Sequence, residues 1–197
     1  MKSCLLCGVG GQGTVLASRI LAQAAMEQGL FARTAETIGM AQRGGSVVSH
    51  VRVGKTVDSP LIPEGCADII LGFEPGETVR NLRYLKKGGC VIVCAKGVNP
   101  VMSMFGGKSY DDKEMVAYLK KTVQKCFVID GEKIAAECGS TKVLNVALVG
   151  AAIATGELEL PLATVEAVLA KKVKPAFLSM NQKALATGAK QLKENQE

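Results

Sequence analysis

The sequence predicts an α/β fold, a Rossmann-like three-layer sandwich whose mostly parallel sheet carries one antiparallel element after its second strand. Three observations lead there. An apolar run at residues 3–7 ends in Gly8-Val-Gly-Gly-Gln-Gly13, and a helical apolar stripe follows directly. Further short apolar runs alternate with amphipathic segments, the order of βαβ units. Finally, the loop between the second and third strand-like runs is too short for a helical crossover, so that connection must reverse the chain. The chain has 197 residues and is read as a single domain over 1–197, long enough to bury about 70% of its unfolded surface.

The elements follow in order. The first strand is expected over 3–7 and a helix over 14–28, where Val15, Leu16, Ile20, Leu21, Ala24 and Ala25 recur at helical spacing. Gly29 suits the left-handed position after that helix. Residues 31–37 read as the second strand. No helix follows it; a glycine-bearing loop comes next, and residues 46–53 alternate and are rich in valine, the pattern of a half-buried strand. Residues 67–73 form another buried run. Glu74-Pro-Gly-Glu77 is a helix start, since proline fits the first turn and acids suit the positive end of the dipole. That helix is expected to reach Lys86 or Lys87 and to stop at Gly88-Gly89, before a strand over 90–95 whose crossover is right-handed. Residues 97–109, with a proline, two methionines and a Gly-Gly pair, read as an irregular excursion. A helix over 111–124, a strand over 126–130 and helices over 131–138, 142–155, 162–173 and 176–192 make the C-terminal part mostly helical.

Composition narrows the function classes. Apolar residues make up 48% and tryptophan is absent, so small aliphatics fill the core. The net charge is +6, but no basic run is interleaved with aromatics, which speaks against nucleic-acid binding. No apolar stretch reaches the roughly 20 residues needed to span a bilayer. Seven cysteines, an odd number, with no secretory leader pattern, predict reduced thiols and a cytoplasmic protein. Cys4 and Cys7 have half a metal-site spacing without a second pair, and positions three apart on a strand face opposite ways. No metal site and no iron–sulfur ligand set is expected on this chain.

The glycine cluster carries the chemistry. Gly8, Gly10 and Gly13 match G-x-G-x-x-G, in which the first glycine permits a tight turn, the second admits a ligand to the backbone and the third lets helix pack on strand. Gly11 adds freedom and Gln12 offers an amide. The uncovered N–H groups of a helix start favour an anion. A ligand-free turn and a phosphate or carboxylate site both satisfy the pattern. Glu36 stands near where a dinucleotide fold wants its ribose-binding acid, but Arg43-Gly44-Gly45 follows where a helix belongs, which weakens a nicotinamide cofactor. Arg43 suits a bidentate bond to an anion and equally an ion pair with Glu36. His50, the only histidine, reads as a strand residue on one face with Val48 and Arg52. There is no G-x-S-x-G elbow, and no residue is assigned a catalytic proton transfer.

The segments Gly8-Val-Gly-Gly-Gln-Gly13, Ala35-Glu-Thr-Ile-Gly-Met-Ala-Gln-Arg-Gly-Gly-Ser-Val-Val-Ser-His50, Asn145-Val-Ala-Leu-Val-Gly150 and Asn181-Gln-Lys-Ala-Leu-Ala-Thr-Gly188 together resemble the γ-type subunit of 2-oxoacid:ferredoxin oxidoreductases, in particular the small subunit of the indolepyruvate branch. The resemblance runs over nearly the whole chain. It implies oxidative decarboxylation of a 2-oxoacid, indolepyruvate or another arylpyruvate, to an acyl-coenzyme A. Thiamine diphosphate, magnesium and iron–sulfur clusters are expected in a large α-type partner subunit, with ferredoxin met through the complex. Gly8, Gly10, Gly11, Gln12 and Gly13, with Glu36, Arg43, Gly44 and Gly45, become candidates for a phosphate of coenzyme A. Alone, the chain is a candidate homodimer. A free-standing NAD(P) enzyme and a scaffold subunit without chemistry are the alternatives.

Overall fold

Among the described residues the strands are β1 (Lys2–Val9), β2 (Phe31–Glu36), β3 (Ser46–Gly54), β4 (Ala67–Gly72), β5 (Leu85–Cys94) and β6 (Lys125–Ile129), hydrogen-bonded in the order β2-β3-β1-β4-β5-β6. The computed structural model describes residues 1–37, 44–98 and 111–195. β1, β4, β5 and β6 pair in parallel, and β3 runs antiparallel to both of its neighbours. The antiparallel element expected after the second strand is therefore β3. It returns across β2 and fills the place between β2 and β1, with Leu5 opposite His50 and Ala35 opposite the same residue on the other side.

The helices are α1 (Thr14–Glu27), α2 (Pro75–Asn81), α3 (Asp112–Thr122), α4 (Gly131–Cys138), α5 (Leu144–Ala154), α6 (Leu162–Lys172) and α7 (Pro175–Glu194). They cover both faces of the sheet, because a parallel strand is apolar on both sides and both must leave water. One face packs Cys4, Leu6, Ile69 and Ile92 under α1, α4, α5, α6 and α7; the other packs Leu5, Cys7, Ile70 and Val91 under α2 and α3. Each leucine of β1 is fully buried, worth about 2 kcal/mol apiece. Cys4 and Cys7 point to opposite faces, as strand alternation requires.

Two helices lock by mutual close approach. A Cβ placed on Gly188 of α7 would lie 1.9 Å from the Ala147 carbonyl oxygen of α5, and one on Gly150 would lie 2.0 Å from the Leu185 carbonyl oxygen. Only glycine at both places lets the backbones meet.

The helix expected to run to Lys86 is shorter. α2 ends at Asn81, a 3₁₀ turn spans Leu82–Tyr84, and β5 begins at Leu85, which pairs with Ala67. Gly88-Gly89 does not cap a helix. Gly88 has φ +76° where the register between β4 and β5 slips, so the pair forms a bulge within the strand. The strand begins early because Asp68 holds both Lys86 and the Ser3 N–H, the latter at 2.7 Å. Most of the excursion expected over 97–109 lies outside the described residues.

Candidate functional site

β1 delivers the glycine turn to the C-terminal edge of the sheet. Gly8 has no room for a side chain, since a Cβ would sit 2.8 Å from Cβ of Phe73 and 2.6 Å from Gln12 Oε1. Gln12 explains the crowding. The Val9 N–H donates to its Oε1 at 2.7 Å, and its Nε2 donates to the Phe73 carbonyl at 3.1 Å. The Phe73 N–H in turn donates to the Cys7 carbonyl at 2.8 Å. The side-chain amide expected to face a ligand thus fastens the turn to the end of β4. Gln12→Ala leaves one donor and one acceptor unmatched, and should lower stability by about 1–2 kcal/mol in a urea titration.

Gly10 meets the second glycine pair. Its N–H donates to the Gly45 carbonyl at 2.8 Å, and the Gly44 N–H donates back to the Gly10 carbonyl at 3.4 Å. The two glycine segments, far apart in sequence, therefore lie side by side. Arg43 lies outside the described residues. Gly11 has φ +103° and nothing within 4 Å of an added Cβ, so the backbone is open there. Gly13, at φ +84°, caps α1 in the left-handed conformation with no side-chain cap, and no acid stands in the first turn. The helix start therefore presents its partial positive charge at the open turn.

Glu36 lies at the end of β2, where it accepts a 3.0 Å hydrogen bond from Ser18 Oγ of α1. Because β3 stands between β2 and β1, this acid is one strand further from the turn than the ribose-binding acid of a dinucleotide fold, which sits on the strand next to the first.

From sequence alone Asn145 is placed in a helix and given no role in the site. It is buried at the start of α5. The Val146 N–H donates to its Oδ1 at 2.9 Å, and its Nδ2 donates to the Gly13 carbonyl at 3.5 Å. A Cβ on Gly13 would lie 2.5 Å from that nitrogen, so the third glycine admits α5 as well as α1. A polar residue opening an otherwise apolar helix was the available signal.

The thiols have no part in the site. All seven cysteines are free. Burial pushes Cys7 and Cys90 up to about 12 and Cys126 to about 11, far from the thiolate a metal or a nucleophilic role requires. Among the described residues no three His, Cys, Asp or Glu side chains converge as a metal site would need. Among the same residues no helix is long and apolar enough to cross a membrane.

His50 lies on the α2 side of β3. The Ile62 N–H donates to its Nδ1 at 3.2 Å, and the Tyr84 ring meets it edge-on at 5.7 Å. Burial holds its pKa below the ordinary 6.5. The unfolded chain accordingly takes up a proton near pH 6.5 while the folded chain resists. Stability from this group is complete above that pH and falls as pH drops through it toward the lowered folded value. His50→Gln should flatten the stability profile between pH 6.5 and the carboxylate range near 4–5, as read by urea midpoints at stepped pH.

The family model of pyruvate ferredoxin/flavodoxin oxidoreductases matches residues 3–191. The chain belongs to that family. Among its oxidoreductase relatives, indolepyruvate oxidoreductase subunit IorB of Pyrococcus horikoshii is 39% identical over 195 residues, covering 96% of this chain and 95% of the relative. The IorB subunit of Archaeoglobus fulgidus is 38% identical over 185 residues, covering 93% and 92%. The fold is that of the γ subunit of a keto/oxoacid ferredoxin oxidoreductase from Geobacter sulfurreducens, with a TM-score of 0.73 at 21% identity over 98% of this chain and 99% of that one. It also matches part of the 2-oxoglutarate:ferredoxin oxidoreductase of Magnetococcus marinus, solved with 2-oxoglutarate, coenzyme A and succinyl-CoA, with a TM-score of 0.69 at 21% identity over 98% of this chain and 31% of that one. The family and the α/β architecture expected from the glycine segments are both borne out. The two IorB relatives and the Geobacter protein are named as oxidoreductase subunits, while in the Magnetococcus enzyme the matching fold is part of a longer chain.

Proposed function

We propose that the chain is the small subunit of an indolepyruvate:ferredoxin oxidoreductase, and that its glycine turn receives a phosphate of coenzyme A. One observation carries the reading: an open, uncapped α1 start at Gly11–Gly13, on a chain alignable nearly end to end with IorB subunits. The N–H groups there suit an anion, and Gly44 and Gly45, which follow Arg43 in sequence, lean on Gly10. Gly8 and Gln12 hold the turn's shape, and Glu36 steadies α1 beneath it.

The decarboxylation belongs to a large α-type partner that would carry thiamine diphosphate, magnesium and iron–sulfur clusters, with ferredoxin as the electron acceptor of the complex. Thiamine diphosphate supplies the electron sink for losing carbon dioxide from a 2-oxoacid. This chain's cysteines do not suit an iron–sulfur cluster, since they are dispersed and Cys4 and Cys7 face apart. Its part is to orient the acyl acceptor and to complete the complex. The free thiols suit the cytoplasm.

The test is co-expression with the large thiamine/iron–sulfur subunit, followed by an assay of coenzyme A-dependent ferredoxin reduction with indolepyruvate. Activity should require both chains. Full activity of the large subunit alone would overturn the reading. A scaffold without ligand contact is favoured by one fact, the internal engagement of Gln12, Gly10 and Glu36; it predicts that substitutions at Gly11 leave coenzyme A kinetics unchanged.

A further inference from the structure

A cavity of about 500 Å³ opens between β3 and α2, on the opposite face of the sheet from α1. Ser46, His50, Glu77, Arg80, Arg83 and Tyr84 line it. We propose that this cavity binds a carboxylate, held between the His50 Nε2–H and the guanidinium of Arg83.

The donors are set by what each group already does. His50 is 6% exposed, and its Nδ1 accepts from the Ile62 N–H, so the neutral ring carries its proton on Nε2. Among the described residues Nε2 has no acceptor. The atom is not sealed from solvent, and the cavity that His50 lines is where an acceptor reaches it.

Among the described residues Glu77 is the one carboxylate lining the cavity, and both its oxygens are occupied. Oε2 accepts from Ser46 Oγ at 2.6 Å, and Oε1 takes Arg80 in an ion pair. Its charge is therefore answered locally, and it is not free to turn to His50. Arg83 lies over the Tyr84 ring, 5.2 Å from the centroid, and pairs at 3.2 Å with Glu64. That pair is exposed on both sides and worth little, so an incoming carboxylate can compete for the guanidinium. Arg52, the other cation on this face of β3, is spent on the carbonyls of Ser59 and Leu61. The result is one N–H without a protein acceptor and one displaceable guanidinium, on residues that line the same space beside the Tyr84 ring. That matches a planar anion of one charge.

The inference stands apart from the coenzyme A reading, since it uses none of the turn residues. Two sources share the chemistry: a free small organic acid, and an Asp or Glu side chain of the partner subunit.

His50 makes the test direct, because a chain with one histidine gives one imidazole signal. The chain labelled on histidine is titrated with sodium benzoate, and with benzamide as the neutral isostere. Benzoate should shift the His50 ring signals saturably and raise its pKa, as an anion beside an imidazolium must. Benzamide should not. Arg83→Gln should weaken benzoate binding about tenfold, the loss of one charge-assisted hydrogen bond. Arg80→Lys, which keeps a cation beside Glu77, should keep the fold and weaken binding less. Mixing the labelled chain with unlabelled large subunit separates the sources. A His50 shift on assembly that blocks benzoate assigns the carboxylate to the partner, while benzoate binding that survives assembly assigns it to a free acid. Either outcome supports the site. Equal shifts from benzoate and benzamide, no shift from benzoate or from assembly, or an unchanged affinity in Arg83→Gln would each overturn it.

Discussion

Alanine at Gly188 should lower the stability of the chain by about 2 kcal/mol, despite being the better helix former. Helix propensity alone would favour the exchange by about 1 kcal/mol. Against it stands an added Cβ 1.9 Å from the Ala147 carbonyl oxygen, which no rotamer can relieve because the backbone alone fixes where both atoms lie. The helices must part by more than an ångström. Overpacking of this kind costs roughly 1–3 kcal/mol and more where the surroundings are rigid, as they are for α5, buried from Asn145 to Ile153. Gly150→Ala should behave alike, since its Cβ would meet the Leu185 carbonyl oxygen at 2.0 Å. The double substitution should lose less than the sum, because the first displacement makes room for the second. Urea midpoints of the three variants read the effect. A neutral or stabilising Gly188→Ala would mean that α5 and α7 do not touch through their backbones.

The largest expected effect on activity is at Gly11. Gly11 and Gly139 are alike in isolation: each has a positive φ, +103° and +77°, and each has open space where a Cβ would go. Alanine at either therefore costs the strain of a left-handed residue, about 1–2 kcal/mol, and no clash. They differ in what lies outside. Gly11 stands at the uncapped start of α1, while Gly139 ends α4. In the assembled oxidoreductase, Gly11→Ala should raise the KM for coenzyme A by about 10–100-fold, the loss of one charge-assisted backbone contact. Gly139→Ala should match its loss of stability and leave KM alone. Identical kinetics for both would remove the turn from the coenzyme A site.

Much of the fold was legible because local pattern and tertiary environment agreed. The 3.6-residue stripe of α1 and the valine alternation of β3 each had one burial solution, and the short Glu36–Ser46 connection left only a reversal. Gly88-Gly89 misled because the same residues cap helices and form bulges; which one applies depends on Leu85 pairing with Ala67, a contact no local window contains. The site divides the same way. Gly8, Gly10 and Gly13 were recognisable from spacing. That Gln12 is a brace rather than a ligand group follows from the Phe73 carbonyl, 61 residues away, and Asn145 reaches Gly13 across 132. Such roles are set by where the chain returns.

The placement of β3 bears on how the chain is made. When residues 1–37 have left the ribosome, β1 and β2 exist but lie two strand spacings apart in the finished sheet, with nothing yet to pair between them. The vacancy closes only once the chain has grown past Gly54 and the β2–β3 hairpin can slide in beside β1. Until then both edges of the gap are bare peptide beside exposed apolar side chains. A nascent-chain series should accordingly gain protease resistance in one step, at lengths that free residue 54, and a holdase should bind the shorter members and release the longer.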